Sequence, residues 1–179
     1  MQKERIKLQK ARYNDIRRIK RIYKEAFPKN ERKPFSIIKK LNRSGKGSLE
    51  VILLDGKMCG FFFTVFEGEL ALVDYFAISK DYRNRGIGKL AIEALSEKYF
   101  QKKMFLEIED PSVSDEAARR LCFYKRCGFL QTGIKVNLFG VHMELLTLGE
   151  FEVDFPTYFD FYVSMVGELL ASKCVKERK

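Results

Sequence analysis

The sequence predicts an α/β (α+β) fold in which helices flank a mixed, mostly antiparallel sheet. Some segments alternate apolar and polar residues or are wholly apolar, which predicts strands, and others have apolar residues at helical spacing, which predicts helices. Their order is β-α-α-β-β-β-α-β-α-β-β, followed by a C-terminal helix. The 179 residues, 46% of them apolar and 32% charged, have the composition and length of an ordinary globular domain.

The N-terminal half is predicted to contain four strands and two helices. Asn14 is expected to cap the first helix and Pro28 to stop it, and Gly45 follows the second. The turns Asp55-Gly56 and Glu67-Gly68 are typical of hairpins, the second more weakly. The predicted strands cover residues 4–8, 49–54, 58–66 and 70–78, and the helices cover residues 15–27 and 34–43.

The C-terminal half alternates helices and strands until its aromatic-rich end. Gly128 suits the left-handed position that closes a helix, and Gly140 is predicted to turn the last hairpin. Helices are predicted from Arg83 to Tyr99, with a core stripe of Ile87, Leu90, Ala91, Ala94 and Leu95, and from Ser114 to Cys127, with strands over residues 103–109, 134–138 and 141–148.

Residues 1–150 are predicted to form one domain, and residues 151–179 a C-terminal helical extension. The helix is amphipathic, and its apolar face is expected to pack on the same core or on a second subunit of a homodimer. The tail over residues 174–179 is expected to fray. The predicted apolar face consists of Phe155, Tyr158, Phe159, Tyr162, Val166, Leu169 and Leu170.

The net charge of +10 is concentrated near the N-terminus. Residues 1–46 carry 17 of the 34 basic side chains but only four of the 24 acidic ones. Such a segment suits nucleic acid, an anionic membrane surface or an acidic partner. No aromatic residues alternate with these charges as a stacking surface requires. We therefore predict solvated helix faces that attract a polyanionic cofactor, and nucleic-acid binding is the less favoured interpretation.

Membrane and metal sites are not predicted. No stretch approaches the roughly 18 apolar residues of a membrane span, and the first residues lack the apolar region of a secretory signal. The expected location is the cytoplasm, with no membrane partner. The four cysteines form no Cys-x-x-Cys pair, and His142 is the only histidine. We therefore expect no metal, and we interpret His142 as part of a strand.

The segment Arg83-Asn-Arg-Gly-Ile-Gly-Lys89 carries the strongest chemical signal. It follows a buried strand and opens a helix, where free N–H groups and the positive dipole end attract anions. Gly86 and Gly88 leave the backbone accessible, and three cations crowd a helix end that normally disfavours them. The alternative is a packing role for the glycines with solvated arginines. The pattern favours a phosphate or pyrophosphate site.

These residues resemble the Arg/Gln-x-x-Gly-x-Gly/Ala motif of the GNAT acetyltransferases, with Arg83, Gly86 and Gly88 at the motif positions. The preceding Tyr-Phe-Ala-Ile strand and the following helix match the family's pattern. Downstream, Tyr124-Lys-Arg-Cys-Gly128-Phe129 resembles the family's Tyr-x-x-x-Gly-Phe helix end. The resemblance covers residues 3 to 148, which is most of the chain.

The resemblance implies a site for acetyl-CoA. Its pantetheine arm would pair with the end of the strand at residues 70–78, where this strand separates from the one at 103–109, and its pyrophosphate would bind the loop amides. A backbone N–H near Phe76 or Ala77 would stabilise the oxyanion. The implied cofactor-binding residues are Phe76, Ala77, Ile78, Arg83, Asn84, Arg85, Gly86, Ile87, Gly88 and Lys89.

The resemblance also implies catalytic residues. Tyr124 would protonate the leaving thiolate, and the alternative is a core aromatic role. Glu107 matches a glutamate of the ribosomal-protein alanine acetyltransferases, and Glu109 shares its face of the strand. Either is a candidate general base, with a water chain as the alternative and Asp74 as a weaker candidate. Both glutamates could instead pair with Lys102, Lys103, Arg119 or Arg120.

The function implied is transfer of an acetyl group from acetyl-CoA to the primary amine of a small molecule or peptide. Ala117 replaces an Asn that many family members carry seven positions before the Tyr, and the segment from Asp110 to Glu116 is longer than usual. Both departures lie near the implied acceptor site, so the acceptor's identity does not carry over. The alternatives are a catalytically silent acyl-CoA sensor and a basic protein associated with nucleic acid.

Overall fold

The computed structural model describes residues 6–178 of the chain. All eleven elements predicted before residue 150 are present in the predicted order, so the predicted fold class is confirmed. The helices are α1 (Ile16–Ala26), α2 (Phe35–Ser44), α3 (Ile87–Lys98), α4 (Asp115–Arg126), α5 (Phe155–Val166) and α6 (Glu168–Cys174). The strands are β1 (Ile6–Lys10), β2 (Gly47–Leu54), β3 (Lys57–Glu67), β4 (Leu70–Ile78), β5 (Lys103–Glu109), β6 (Phe129–Leu138), β7 (Val141–Leu148) and β8 (Val175–Arg178).

The strands form a mixed, largely antiparallel open sheet in the order β1-β2-β3-β4-β5-β7-β6-β8. The parallel pair is β4 with β5, which align Leu70 with Lys103 and Leu72 with Phe105. A parallel connection needs a crossover, and α3 supplies it. The chain divides into two compact units. One extends to Val65 and resumes over Val73–Gln101, and the other contains Phe66–Leu72 and the chain from Lys102 onward.

The first unit is built on the β1–β2–β3 meander. The run Phe61–Phe63 is fully buried, as expected for a strand that is covered on both faces. Asp55 (φ 47°) and Gly56 (φ 80°) form the tight turn between β2 and β3, whose left-handed backbone matches the strand twist. Helix α1 buries Ile19, Ile22 and Tyr23, which lie on one face at helical spacing.

Several predicted details of the first unit are wrong. Of the strand expected over residues 4–8, Glu4 and Arg5 lie outside the described residues, and its described part continues to Lys10, two residues beyond the predicted end. Asn14 does not cap α1; it lies in a 3-10 turn closed by Asp15, whose Oδ2 accepts from the Arg12 N–H at 2.7 Å. In α3 the residues Leu90 and Ala94 are only half-buried, whereas Ile92 is buried. Gly68 and Glu69, rather than Glu67 and Gly68, turn between β3 and β4.

The second unit is centred on β5 and β7. Their antiparallel register places Glu107 opposite Leu145 and Glu109 opposite Met143. Helix α4 is capped by Ser114, whose Oγ accepts from the Ala117 N–H, and closed by Gly128 at φ 91°. His142 lies in β7, as predicted. Strand β6 begins at Phe129, five residues earlier than predicted, and its pairing with β7 shifts between Gln131 and Lys135.

The C-terminal segment is not one helix with a frayed tail. Gly167 (φ 88°, ψ 152°) interrupts it, because this backbone conformation is open essentially only to glycine. Leu169 and Leu170 then lie exposed instead of packing. The chain continues as β8, which pairs with β6 from Val175 opposite Leu138 to Arg178 opposite Lys135. Strand pairing therefore orders the residues through 178 that were expected to fray.

Asp110 holds β8 in place. Its carboxylate is buried and accepts from the Ser112 N–H (3.0 Å) and Oγ (2.7 Å), from Lys135 Nζ (3.5 Å) and from Arg178 Nη1 (3.1 Å). The Ser112 hydrogen bonds, assisted by the two cations, hold the pKa of Asp110 well below its usual range. Because the folded-state pKa is depressed, this carboxylate stabilises the fold above about pH 4, and the contribution is lost as the pH falls further.

Replacing Asp110 by Asn should lower the free energy of unfolding by about 1–3 kcal/mol at neutral pH, because Arg178 and Lys135 lose a charged acceptor. The acid limb of the stability profile should also flatten. Chemical denaturation at pH 7 and at low pH measures both effects. Asp160→Asn, on the exposed face of α5, is the matched control. Equal stability losses in the two variants would contradict the assignment.

Candidate functional site

Hydrogen bonds within the first unit hold the loop that follows β4. The Ser79 N–H donates to the Cys59 carbonyl at 2.8 Å, and a 3-10 turn over Lys80–Tyr82 follows. Arg83 Nε then donates to the Ile78 carbonyl at 2.9 Å. The motif arginine therefore holds the loop against the end of its own strand, and its terminal nitrogens remain at an exposed position.

The backbone between Arg83 and α3 contains two left-handed residues, Asn84 (φ 60°) and Gly86 (φ 74°). Asparagine and glycine are the residues that enter this region most readily. Gly86 is the N-cap of α3, and its carbonyl accepts from the Lys89 and Leu90 N–H groups. The N–H groups of the residues that precede Lys89 in the first turn of α3 have no intrahelical acceptor, because of their position at the helix start. Such a turn at a helix N-terminus forms a concave array of amide donors suited to an anion.

Positive charge surrounds these amides. Arg83, Arg85 and Lys89 are all exposed, and the Arg85 guanidinium lies 5.9 Å from the centroid of the Tyr82 ring. Lys89 Nζ is 3.9 Å from a carboxylate oxygen of Glu93. Pairs this exposed are weak and leave the cations available to a stronger anion. The structure thus brings the predicted loop residues together in one cationic turn.

The strand end that precedes the loop lies beside β3 in the sheet. Phe76 stacks on Phe62 with ring centroids 4.4 Å apart. Gly60 lies so close that a Cβ built on it would be 2.4 Å from the Ala77 carbonyl oxygen. Gly60 was not among the predicted site residues, although a glycine inside an apolar strand run signals such a close approach. This glycine positions the backbone of residues 76–78.

Replacing Gly60 by Ala should push the Ala77 carbonyl out of place, because real Cβ atoms do not approach a backbone oxygen at that distance. We expect a loss of about 1–3 kcal/mol in unfolding free energy, together with weaker binding of any ligand that pairs with residues 76–78. Chemical denaturation and calorimetry on one preparation measure both quantities. A destabilised variant with unchanged affinity would contradict the positioning role.

Tyr124 lies in the last turn of α4, in the second unit. It is 9% exposed, and its ring packs edge-on against Phe123 and Phe129, with centroids 5.1 and 5.4 Å away. Burial raises the pKa of Tyr124 to about 12, partly opposed by the Arg120 charge. No group among residues 6–178 forms a hydrogen bond with its hydroxyl. The Tyr124 hydroxyl is therefore protonated at neutral pH and can donate a hydrogen bond.

The two predicted carboxylates of β5 are half-buried on one face of the strand. Glu107 Oε1 accepts from the hydroxyl of Tyr158, a fully buried residue of α5, at 2.7 Å. Tyr158 was not predicted as a partner of Glu107. Three of the cations considered as partners make other contacts: Lys102 with the Gly68 carbonyl, Lys103 with Glu69 and Arg120 with Glu116.

A buried ion pair that the sequence did not reveal lies beside the strand end in the first unit. Lys33 Nζ is 2.5 Å from Asp74 Oδ1, and the two side chains are 7% and 1% exposed. The Tyr23 hydroxyl donates to the Lys33 carbonyl, and the Lys33 N–H donates to the Tyr75 hydroxyl. Asp74 Oδ2 is buried and has no hydrogen-bond partner among the described residues.

Residues 6–178 contain neither a candidate metal-binding cluster nor a candidate membrane-spanning helix. No group of three or more His, Cys, Asp or Glu side chains in this part of the chain is arranged to hold a metal ion. None of its helices has the length and apolarity needed to cross a bilayer. The basic side chains Arg17, Lys20, Arg21 and Lys24 are exposed on α1.

Comparison with known proteins identifies the class. Residues 46–131 match the family model described as the acetyltransferase (GNAT) domain. The chain is similar to a GNAT-family acetyltransferase from Bacteroides thetaiotaomicron, with a TM-score of 0.74, 23% identity, and coverage of 90% of this chain and 99% of the other. None of the curated proteins matches the chain in sequence.

Two other solved structures are related in fold. A GNAT family acetyltransferase from Elizabethkingia anophelis, solved with acetyl-CoA bound, has a TM-score of 0.54 at 18% identity and covers 81% of this chain and 98% of its own. Spermidine N-acetyltransferase from Vibrio cholerae, solved with CoA and spermine, has a TM-score of 0.62 at 14% identity, with coverages of 79% and 94%.

The resemblance noted in the sequence is therefore confirmed, because residues 46–131 match the GNAT acetyltransferase domain model and the fold is that of GNAT acetyltransferases. The fold of this chain is that of acyltransferases whose solved members bind CoA or acetyl-CoA.

Proposed function

We propose that this protein transfers the acetyl group of acetyl-CoA to a primary amine by direct attack in a ternary complex. The observation that carries the proposal is the turn at residues 83–89. It combines two left-handed residues, a helix N-terminus and three exposed cations within the stretch that matches the family model. Each of these features favours a bound pyrophosphate.

The residues present fit acetyl-CoA. The amides from Asn84 to Lys89 would hold the pyrophosphate, and at Gly86 no atom lies within 4 Å of a built Cβ, so the backbone there is open to approach. Arg83, Arg85 and Lys89 would add charge. The main chain of Phe76, Ala77 and Ile78 would pair with the pantetheine arm.

When bound, acetyl-CoA supplies a thioester carbonyl and a thiolate leaving group. Tyr124 donates the proton that the thiolate needs, and its burial keeps that proton in place at neutral pH. A backbone N–H at Phe76 or Ala77 stabilises the oxyanion. The carboxylate of Glu107 or Glu109, or a water chain, removes a proton from the amine. The Tyr158 hydrogen bond orients Glu107 for this role.

The acceptor class is supported by comparison. The related spermidine N-acetyltransferase was solved with spermine, an amine. Calorimetric titration with acetyl-CoA, followed by detection of released thiol with a panel of primary amines, tests the proposal. Stoichiometric binding with amine-dependent thiol release is the expected result. Binding without release for every amine would indicate an acyl-CoA sensor, and no binding would overturn the proposal.

A further inference from the structure

Lys33 reaches around one edge of β4. Successive side chains of a strand point to opposite faces, yet Lys33 contacts both Asp74 and its neighbour Tyr75. Its Nζ is 2.5 Å from Asp74 Oδ1 and 5.5 Å from the centroid of the Tyr75 ring, and its N–H donates to the Tyr75 hydroxyl at 2.9 Å. A residue that touches both faces of a strand lies at the strand's edge.

Lys33 lies at the edge of β4 that faces away from β3. On the β3 side, the Cys59 carbonyl accepts from the Ser79 N–H, and Gly60 abuts the Ala77 carbonyl. Under the proposed function, the opposite edge of residues 76–78 receives the pantetheine arm. Asp74 precedes Phe76 by two residues, which is about 7 Å along a strand. The Lys33 amine is therefore held beside the strand end to which the acetyl group would be delivered.

Specific hydrogen bonds hold the main chain of Lys33 in place. Two tyrosine hydroxyls fix the main chain at Lys33, since Tyr23 donates to its carbonyl and Tyr75 accepts from its N–H. The Tyr75 hydroxyl also donates to the Glu31 carbonyl at 3.0 Å. Rings of Tyr23 and Tyr75 meet edge-to-face at 4.8 Å. A lysine needed only for solubility would not be buried and anchored in this way.

We propose that Lys33 is an acetylation site of this protein and that the protein modifies it itself, with Asp74 as the proton acceptor. The proposal rests on the proposed function, because it needs acetyl-CoA bound at residues 76–89. The acetyl acceptor is thus the side-chain amine of Lys33, an alkyl primary amine whose ammonium form pairs with the buried carboxylate of Asp74. An external substrate of the same chemistry would have to displace Lys33 from Asp74.

The step balances in atoms and charge. Asp74 Oδ1, which lies 2.5 Å from Lys33 Nζ, takes one proton from the Lys33 ammonium and leaves a neutral amine. The amine nitrogen bonds to the thioester carbonyl carbon, and the carbon–sulfur bond breaks. The nitrogen then loses its second proton, which replaces the proton that Tyr124 would donate to the leaving thiolate. Protonated Asp74 then releases its proton to solvent. Asp74 Oδ2, which lacks a partner among the described residues, is available to accept an N–H donor meanwhile.

The test uses the full chain, acetyl-CoA and no added amine. Peptide mass spectrometry over time should show one acetyl group at Lys33, formed with a first-order rate constant that does not change with protein concentration. Acetyl phosphate, a chemical acetylating agent that needs no CoA site, should instead modify exposed lysines such as Lys39 and Lys40. Faster modification of exposed lysines than of Lys33 with acetyl-CoA would overturn the proposal.

Variants separate this inference from the proposed function. Asp74→Asn should lose Lys33 acetylation at least tenfold while still binding acetyl-CoA by calorimetry, which also shows that it folds. Lys33→Arg keeps a cation on Asp74 and should gain no acetyl group in that peptide. If the intact protein binds acetyl-CoA and acetylates an external amine but leaves Lys33 unmodified, this inference fails and the proposed function stands. If acetyl-CoA does not bind, both fail.

Discussion

Replacing Gly86 by Asp is expected to weaken acetyl-CoA binding at least about 100-fold, because a single hydrogen bond to a charged group contributes roughly 1.5–3 kcal/mol and several loop amides are involved. The substitution acts in two ways. Gly86 has φ 74° and ψ −5°, a conformation that costs any other residue strain. The new carboxylate would also sit where the proposed pyrophosphate binds. Calorimetric titration measures the affinity directly.

Gly45 provides a closely matched control. It also lies at a helix end, with φ 80° and ψ −5°, and no atom lies within 4 Å of a built Cβ. Gly45→Asp should therefore lose a similar amount of stability yet retain full affinity for acetyl-CoA. Arg85→Glu, which changes charge without backbone strain, should weaken binding by a smaller factor. Equal affinities of Gly86→Asp and Gly45→Asp would show that the turn does not bind the cofactor.

Replacing Tyr124 by Phe is expected to lower kcat about 10²–10⁴-fold, the usual contribution of a general acid. The ring contacts with Phe123 and Phe129 remain in the variant, and the hydroxyl makes no hydrogen bond among the described residues. Stability and the KM for acetyl-CoA should therefore change little. Steady-state kinetics with the amine found in the screen provides the measurement. Tyr13→Phe, at a residue that is 92% exposed, is the control.

The pH dependence offers a second check on Tyr124. Burial raises its pKa to about 12, so the hydroxyl should remain protonated, and kcat should not fall through its ionisation, below about pH 11. The raised pKa of Tyr124 also makes the stability of the fold depend on pH. A pKa above the unfolded value of about 10 stabilises the fold at lower pH, and this contribution is lost as the pH rises through about 12. An unchanged kcat in Tyr124→Phe would contradict the role of Tyr124 as general acid and would indicate that it is a core aromatic residue.

The local parts of the site could be predicted from the sequence because they depend on backbone preferences of nearby residues. Gly86 lies at the start of α3 and leaves the backbone there without a side chain, as predicted, and β4, β5 and β7 have the predicted bounds. The anion-attracting character of residues 83–89 follows from the same local features: glycines, cations and a helix start within seven residues.

The partners of the carboxylates of Asp74, Glu107 and Asp110 were decided by the tertiary structure alone. Asp74 pairs with Lys33, which precedes it by 41 positions, and Glu107 accepts a hydrogen bond from Tyr158, which follows it by 51. Asp110 binds Arg178 across 68 positions, and the pairing of β8 with β6 depends on that end of the chain returning to the sheet. Local periodicity cannot specify such contacts, because they arise from the crossing of distant elements rather than from the conformational preferences of neighbours.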